Sequence, residues 1–269
     1  MQTGKSEVFD FWNEASCGEQ LYLGGLSAQD FAAHAAERYR LEPYIADFAG
    51  FEDSRGKKVL EIGVGLGADH QRFAEAGADL TGIDLTNRAV EMTKARFAAS
   101  GLESALLVGD AENLPFGDDS FDVVYSWGVI HHSPDTPRAA REILRVLKSG
   151  GRFAVMIYHR KSLVGYMLWL RYALLRAKPS TSLAEIYSRY LESPGTKAYS
   201  AEEGAALFDG AVNLRSEVKL THGDLLEGGA GQRHQGVALS LARRIWPRPI
   251  LRRLFKNHGL FLLISGQKA

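Results

Sequence analysis

Cysteine is almost absent from this chain: Cys17 is its one cysteine among 269 residues. A single thiol excludes any disulfide within the chain, and the opening sequence MQTGKSEVFDFW lacks the apolar run of a signal peptide. A reducing cytoplasmic setting is therefore expected. Long hydrophobic runs are lacking too, because the longest, from Leu163 to Leu170, is too short to cross a bilayer.

An excess of charge of either sign is also missing, since 32 basic residues balance 32 acidic ones. A protein that binds nucleic acid normally carries a strong positive excess, so no nucleic-acid partner is expected. Basic residues do gather near the C-terminus: Arg243, Arg244, Arg248, Arg252, Arg253 and Lys256. A solvated helix face is the favoured interpretation of this cluster, and peripheral contact with a membrane is the less favoured one.

Strand and helix patterns alternate regularly through the middle of the chain. Short apolar strands are predicted at Lys58–Ile62, Leu80–Leu85, Ala105–Val108, Phe121–Trp127 and Arg152–Tyr158. A helix at 87–99 has Thr86 as its N-cap, and one at 137–147 ends at the glycine pair Gly150 and Gly151. Strand, helix, strand repeated four times predicts a Rossmann-like, doubly wound α/β fold with a mostly parallel sheet buried on both faces.

The flanking segments break this alternation. Residues 1–56 are predicted to form an N-terminal helical cover, and residues 57–269 the main domain. Residues 160–210 are predicted to be a helical insertion after the fifth strand. Strands at 212–220 and 260–265 would then complete the sheet.

A glycine-rich loop follows the first strand, in the segment Val59–Gly67. Gly63 and Gly65 allow the backbone to approach a ligand closely, at the edge where open α/β sheets bind ligands. The glycines alone fit a dinucleotide cofactor as well, because Ala68 completes that pattern and Asp84 lies about twenty residues on.

Acidic residues at three successive strand ends favour a cationic ligand instead. Glu61 precedes the glycines, Asp84 ends the second strand, and Asp110 and Glu112 follow the third. A carboxylate beside the glycine loop would repel a pyrophosphate, whereas it would attract an ammonium or a sulfonium group.

The ordered motifs of the central region resemble those of class I S-adenosylmethionine-dependent methyltransferases, especially the small-molecule type that includes quinone-biosynthesis enzymes. These motifs are VLEIGVGLG (59–67), TGIDL (81–85), GDAENLPF (109–116), FDVVYSWGVIHH (121–132) and REILRVLKSGGRF (141–153). The resemblance covers residues 57–159 and implies S-adenosylmethionine as the cofactor and a small, partly hydrophobic molecule as the methyl acceptor.

The resemblance also implies roles for particular residues. Glu61, Gly63, Val64 and Gly65 would line the methionine half of the cofactor, and the Trp127 carbonyl would meet its ammonium group. Asp84, followed by Leu85, would accept hydrogen bonds from the ribose hydroxyls. Asp110 would accept from the adenine amino group, the Ala111 amide would donate to the ring, and Glu112 would lie beside them. Both glutamates also have an alternative role without cofactor contact: Glu61 would anchor the glycine loop, and Glu112 would be a solvated charge on its loop.

Methyl transfer needs a base only when the acceptor atom must lose a proton. His131 and His132 follow the fourth strand, and Tyr158 and His159 end the fifth, so these four are the candidate bases. Their alternative role is loop ordering and packing. No metal site is predicted. A dinucleotide-dependent oxidoreductase and a non-catalytic cofactor-binding module remain as alternative functions.

Overall fold

The computed structural model describes residues 3–227 and 243–269. Within these ranges, one sheet is built from β1 (Lys58–Ile62), β2 (Asp79–Asp84), β3 (Ala105–Val108), β4 (Phe121–Trp127), β5 (Leu147–Tyr158), β6 (Ala211–Lys219) and β7 (Phe261–Lys268). The strand order is β3-β2-β1-β4-β5-β7-β6, with β1 to β5 parallel and β7 antiparallel to both of its neighbours. The strand order reverses between β1 and β4, which is where open α/β sheets leave a ligand crevice.

Helices cover both faces of this sheet. They are α1 (Thr3–Glu14), α2 (Glu19–Tyr22), α3 (Ala28–Leu41), α4 (Ile45–Ala49), α5 (Ala68–Glu75), α6 (Asn87–Ser100), α7 (Thr136–Val146), α8 (Leu163–Tyr172), α9 (Leu183–Tyr190), α10 (Ala201–Ala206) and α11 (Arg248–Leu254). Leu60 packs with Ile143 of α7, whereas its neighbour Val59 packs with Phe73 of α5 and Phe97 of α6. Successive strand residues thus bury opposite faces, as a doubly wound sheet requires.

The predicted α/β fold is confirmed, although two of its details are wrong. The connection from β3 to β4 contains no helix, so the strand–helix–strand unit occurs three times rather than four. β3 is an edge strand with Ala105 and Val108 exposed, because no further strand or helix covers its outer side within the described residues.

The end of α7 also differs from the prediction. The helix stops at Val146, and Leu147 already pairs with Phe121 of β4. The chain then bulges through Gly150, whose φ is 75°, before regular pairing resumes at Arg152. The glycine pair therefore shapes a bulge in β5 rather than a helix cap. The predicted cap at Thr86 is confirmed, since its hydroxyl accepts from the Ala89 amide.

Part of the basic C-terminal cluster anchors α11. Arg248 donates to the carbonyls of Leu225 and Leu226, and Arg252 pairs with Glu227 at 2.9 Å. At least these two guanidinium groups serve the protein's own structure. None of the helices in the two described ranges has both the length and the apolar character needed to cross a membrane.

Candidate active site

Two adjoining cavities open at the carboxyl ends of β1 and β4. Their volumes are about 160 Å³ and 310 Å³. Both are lined by the same six residues where they meet: Trp12, Cys17, Gly63, Gly65, Trp127 and Gly128. The volume of the larger cavity by itself already reaches the lower end of the usual range for ligand pockets. The two cavities together therefore form a cleft of ligand size.

Gly63 and Gly65 both have positive φ, 83° and 52°, but the space around them differs. A Cβ at Gly63 would lie 2.0 Å from Cγ2 of Val129, so the protein itself demands a glycine there. A Cβ at Gly65 would meet nothing within 4 Å and would project into open space. Gly65 is therefore the position where the backbone leaves room for a ligand to approach.

Asp84 stands at the end of β2 on the wall of the smaller cavity, together with Leu85. Its carboxylate accepts from the Gly65 amide at 3.3 Å, and from the amide and hydroxyl of Thr86 at 3.0 and 2.9 Å. Burial raises the pKa of Asp84, and the hydrogen bonds from Thr86 and Gly65 oppose that rise. Asp84 thus holds the glycine loop. It also lines the cavity, where its carboxylate oxygens can accept the hydrogen bonds that ribose hydroxyls donate.

Asp110 and Ala111 line the same cavity, but Glu112 does not. Lys5 of α1 places its ammonium 2.6 Å from both Asp110 and Glu112. Glu112 turns toward the protein, where the Asp135 amide donates to it at 2.8 Å and the Ser133 hydroxyl donates as well. Ion pairs thus connect α1 to the acidic turn after β3, and Glu112 holds the loop that follows β4.

Glu61 and Val64 lie on the wall of the larger cavity. Glu61 is 3% exposed, and burial raises its pKa well above the usual range. Its partner is His70, whose Nδ1 lies 2.8 Å away and whose pKa burial lowers to about 3. Glu61 accordingly anchors α5 to β1 through His70.

Arg38 is a site residue that the sequence motifs do not reveal. It reaches from α3 to Asp69 of α5, with Nε and Nη2 at 3.0 and 2.6 Å from the two carboxylate oxygens. Tyr39 and Tyr125 donate to the same carboxylate at 2.9 and 2.8 Å. Although burial opposes ionisation, Arg38 and these hydroxyls hold the pKa of Asp69 below its usual value. Arg38 thus lies on the wall of the larger cavity, held there by Asp69 and by Glu42, whose Oε2 lies 3.6 Å from Nη1.

The paired histidines after β4 occupy different environments. His131 is fully buried, and its ring lies 4.1 Å from that of Tyr158. Burial lowers the pKa of His131 well below its usual value, and its ring nitrogens have no hydrogen-bond partner among the described residues. His132, by contrast, lines the smaller cavity, and Tyr158 lines the larger one.

His159 lies away from the cleft. Its Nδ1 is 3.2 Å from the Gly259 carbonyl, and the residue lines neither cavity. Of the four candidate bases, the structure therefore brings His132 and Tyr158 to the cavity walls. It leaves His131 packed behind them and His159 bound to the loop before β7.

The N-terminal segment and the insertion contribute unequally to the cleft. Trp12 and Cys17 line both cavities. From the insertion, Val164, Leu191 and Glu192 reach the larger cavity. Three aromatic residues of α8 point elsewhere: Tyr166 toward His258, Trp169 toward the Thr181 carbonyl, and Tyr172 toward Tyr190.

Comparisons with known proteins bear on this cleft. Residues 60–155, which run from within β1 to within β5, match the family described as the methyltransferase domain. The chain is 34% identical over 132 residues to the methyltransferase GfsG of Streptomyces halstedii, covering 48% of this chain and 46% of that protein. It is 42% identical over 101 residues to the phthiotriol/phenolphthiotriol dimycocerosates methyltransferase of Mycobacterium leprae, covering 37% of each chain. The chain thus spans less than half the length of these curated relatives.

Residues 60–155 thus match a methyltransferase domain, in agreement with the motif resemblance. S-adenosylmethionine is the cofactor that the motif resemblance implies for it. The open space at Gly65 and the acceptor groups of Asp84 and Asp110 fit that cofactor. Its assignment to particular residues, Glu112 and the Trp127 carbonyl included, stays a prediction.

Solved structures share the fold of this domain at low sequence identity. The phosphoethanolamine N-methyltransferase 2 of Haemonchus contortus, in complex with S-adenosylhomocysteine, has a TM-score of 0.59 at 16% identity, covering 97% of this chain and 60% of that one. The [4+2]-cyclase SpnF has a TM-score of 0.57 at 17% identity, covering 99% and 95%. Because a cyclase also uses this fold, architecture alone does not decide the reaction or the acceptor.

Proposed function

We propose that this chain transfers a methyl group from S-adenosylmethionine to a small, partly hydrophobic acceptor. The observation that carries the proposal is the meeting of the two cavities at Trp12, Gly65 and Trp127. The smaller cavity presents the predicted ribose and adenine contacts, Asp84 and Asp110. The larger one continues past the glycine loop between apolar and aromatic side chains, with the charged groups of Arg38, Glu42 and Glu192 also on its wall, and an acceptor would face the cofactor there.

The bound cofactor supplies an activated electrophile, a methyl group on a sulfonium. The task of the chain is therefore to hold the acceptor in line and to keep water away. In the proposed arrangement Arg38 faces the carboxylate of the methionine half, and the Trp127 carbonyl faces its ammonium. The aromatic rings of Trp12 and Trp127 close the junction of the cavities against solvent.

Calorimetric titration tests the cofactor half of this proposal. We expect S-adenosylmethionine and S-adenosylhomocysteine to bind at one competitive site, and NAD to bind far more weakly because acidic side chains would repel its pyrophosphate. Tight NAD binding without S-adenosylmethionine binding would instead favour the oxidoreductase function. Cofactor binding with no transfer to any acceptor would favour a non-catalytic module.

Replacing Asp84 with alanine is expected to weaken S-adenosylmethionine binding by about 1.5–3 kcal/mol, the scale for hydrogen bonds to a charged group. The measurement is the dissociation constant of the folded variant, with circular dichroism to confirm that the fold survives. Asp79→Ala, at the exposed opposite end of the same strand, is the matched control and should leave the affinity unchanged. Equal affinities for both variants would contradict the ribose role.

A further inference from the structure

Carboxyl groups outnumber cations on the wall of the larger cavity. Arg38 is the one lysine or arginine among the described residues that line it. The lining histidines add no cation near neutral pH, because burial lowers the pKa of His34 to about 4 and lowers the pKa of His222 as well. Four carboxyl groups share the same wall: Glu42, Glu61, Asp69 and Glu192. This wall therefore favours a cationic occupant over an anionic one.

Glu42 differs from the other three carboxyl groups, because within the described residues its side chain accepts no hydrogen bond. It lies at the C-terminal end of α3 and is 6% exposed. Its two ionic contacts are longer than hydrogen bonds: Oε2 lies 3.6 Å from Nη1 of Arg38, and Oε1 lies 3.7 Å from Nδ1 of His222. Buried carboxylates are normally hydrogen-bonded, so this one lacks a donor that a ligand can supply.

Arg38 does not compensate the charge of Glu42 in full. Its hydrogen bonds go to Asp69, from Nε at 3.0 Å and from Nη2 at 2.6 Å. One guanidinium group thus lies between two carboxylates, and one negative charge is left over. Burial raises the pKa of Glu42 to about 7, although the charge of Arg38 opposes that rise. A cation bound beside Glu42 would favour its ionised form.

His222 provides a second acceptor at the same place. It follows β6, outside the residues that match the methyltransferase domain, and it lines the larger cavity. Its Nδ1 is buried and has no hydrogen-bond partner among the described residues. A neutral imidazole that is protonated at Nε2 offers the lone pair of Nδ1. Because Nδ1 and Oε1 of Glu42 are 3.7 Å apart, one ligand nitrogen about 2.9 Å from each can donate to both.

We propose that Glu42 and His222 bind an ammonium group of the methyl acceptor, an inference that rests on the proposed methyl transfer. The ammonium donates one N–H to the Glu42 carboxylate and another to Nδ1 of His222. A protonated nitrogen has no lone pair with which to attack a sulfonium, so this nitrogen is not the atom that is methylated. The acceptor is an amine held by its charged end, and the methyl group goes to another of its atoms.

The position of Glu42 and His222 agrees with this role. They line the larger cavity alone, whereas the acceptor is proposed to face the cofactor where the two cavities meet, at Gly65 and Trp127. Distance from that junction limits the repulsion between the ammonium and the sulfonium. Apolar side chains of the same cavity would contact the body of the acceptor: Met156, Val164, Leu191, Leu260 and Phe261. An amphipathic amine fits both the charged end and the apolar wall.

Binding of small amines to the protein saturated with S-adenosylhomocysteine tests this subsite without turnover. The probes are 4-phenylbutylamine, the neutral 4-phenylbutan-1-ol and the anionic 5-phenylpentanoate, and calorimetry measures their dissociation constants at pH 7.5. We expect the ammonium to bind about tenfold or more tightly than the alcohol, because hydrogen bonds between charged groups are stronger than neutral ones. The carboxylate should bind most weakly. A wild-type protein that does not prefer the ammonium would overturn the proposal.

Two variants assign the preference to particular residues. Glu42→Gln keeps the shape of the side chain and removes its charge, so the ammonium should bind about tenfold more weakly and the alcohol almost unchanged. His222→Phe removes one neutral acceptor and should weaken the ammonium about twofold to tenfold. Both variants should retain S-adenosylmethionine affinity, with circular dichroism to confirm the fold. Glu185→Gln, which alters an exposed ion pair on α9, is the control that should change neither affinity.

The cofactor's own ammonium is the rival occupant, and the same variants separate the two. If Glu42→Gln weakened S-adenosylmethionine binding and kept the preference for the amine, Glu42 would face the methionine half and the acceptor subsite would be overturned. A preference that survives both variants would overturn it too and leave methyl transfer standing. A wild-type protein that does not bind S-adenosylmethionine would count against the proposed function, and titration of the free protein with the three probes would then decide the subsite.

Discussion

Replacing Arg38 with methionine is expected to lower the free energy of unfolding by about 3–5 kcal/mol, because the buried Asp69 carboxylate would then lack its cation. Asp69 is 4% exposed, and among the described residues its remaining side-chain donors would be the hydroxyls of Tyr39 and Tyr125. Urea unfolding at pH 7 measures the loss. The deficit should shrink toward pH 4, because the unpaired carboxylate would bind a proton more readily in the folded variant than Asp69 does in the wild type.

Two further variants make this prediction specific. Arg40→Met removes an exposed arginine from the same helix, where its partner is Glu37 at 2.7 Å, and should cost less than about 1 kcal/mol. Arg38→Met combined with Asp69→Asn should recover much of the loss, since the Asp69 charge is then no longer buried without a cation. If the double variant were as unstable as the two single losses added together, the ion pair would not be the source of the effect.

Cofactor binding gives the same substitution a second readout. Asp69→Asn leaves Arg38 in place on the cavity wall, whereas Arg38→Met removes the charge proposed to face the methionine carboxylate. S-adenosylmethionine affinity should therefore fall in Arg38→Met and in the double variant, and fall much less in Asp69→Asn. Equal losses in all three would indicate that the cation only supports the fold.

The part of the site that lies on consecutive strands could be predicted from sequence. Asp84 and Asp110 end β2 and begin the turn after β3, and parallel pairing brings such ends to one edge. The glycine loop and the histidine pair follow β1 and β4 for the same reason. These residues sit at fixed offsets from apolar strands, so their convergence follows from the topology alone.

The residues that arrive from helices could not be predicted in this way. Helical spacing places Arg38 on the same face of α3 as the buried Phe31 and His34, but that spacing does not reveal its partner Asp69. Glu192 lies in a turn of the insertion, and Lys5 lies in the first turn of α1. Their places depend on how each helix packs on the sheet, which hydrophobic periodicity does not specify. The same holds for the aromatic residues of α8, whose contacts with His258, Thr181 and Tyr190 lie away from the cleft.

Adding a methyl group at Gly63 and at Gly65 is expected to separate folding from cofactor binding. Gly63→Ala should lower the free energy of unfolding by about 2–5 kcal/mol. About 1–2 kcal/mol of this comes from a side chain at positive φ, and the rest from a Cβ forced against Val129. Thermal and urea unfolding measure the loss. Shortening the neighbour in Gly63→Ala with Val129→Ala should recover part of it.

Gly65→Ala shares the positive φ and lacks the clash, so its cost to the fold should be only about 1–2 kcal/mol. Its new methyl group would instead stand in the open space between the two cavities, where the cofactor is proposed to run. S-adenosylmethionine affinity should consequently fall more than about tenfold in a protein that remains folded, a loss of about 1.4 kcal/mol or more. Nothing else in the described structure occupies the space that the methyl group fills. A folded Gly65→Ala protein that binds the cofactor as tightly as the wild type would therefore show that the cofactor does not lie against this loop.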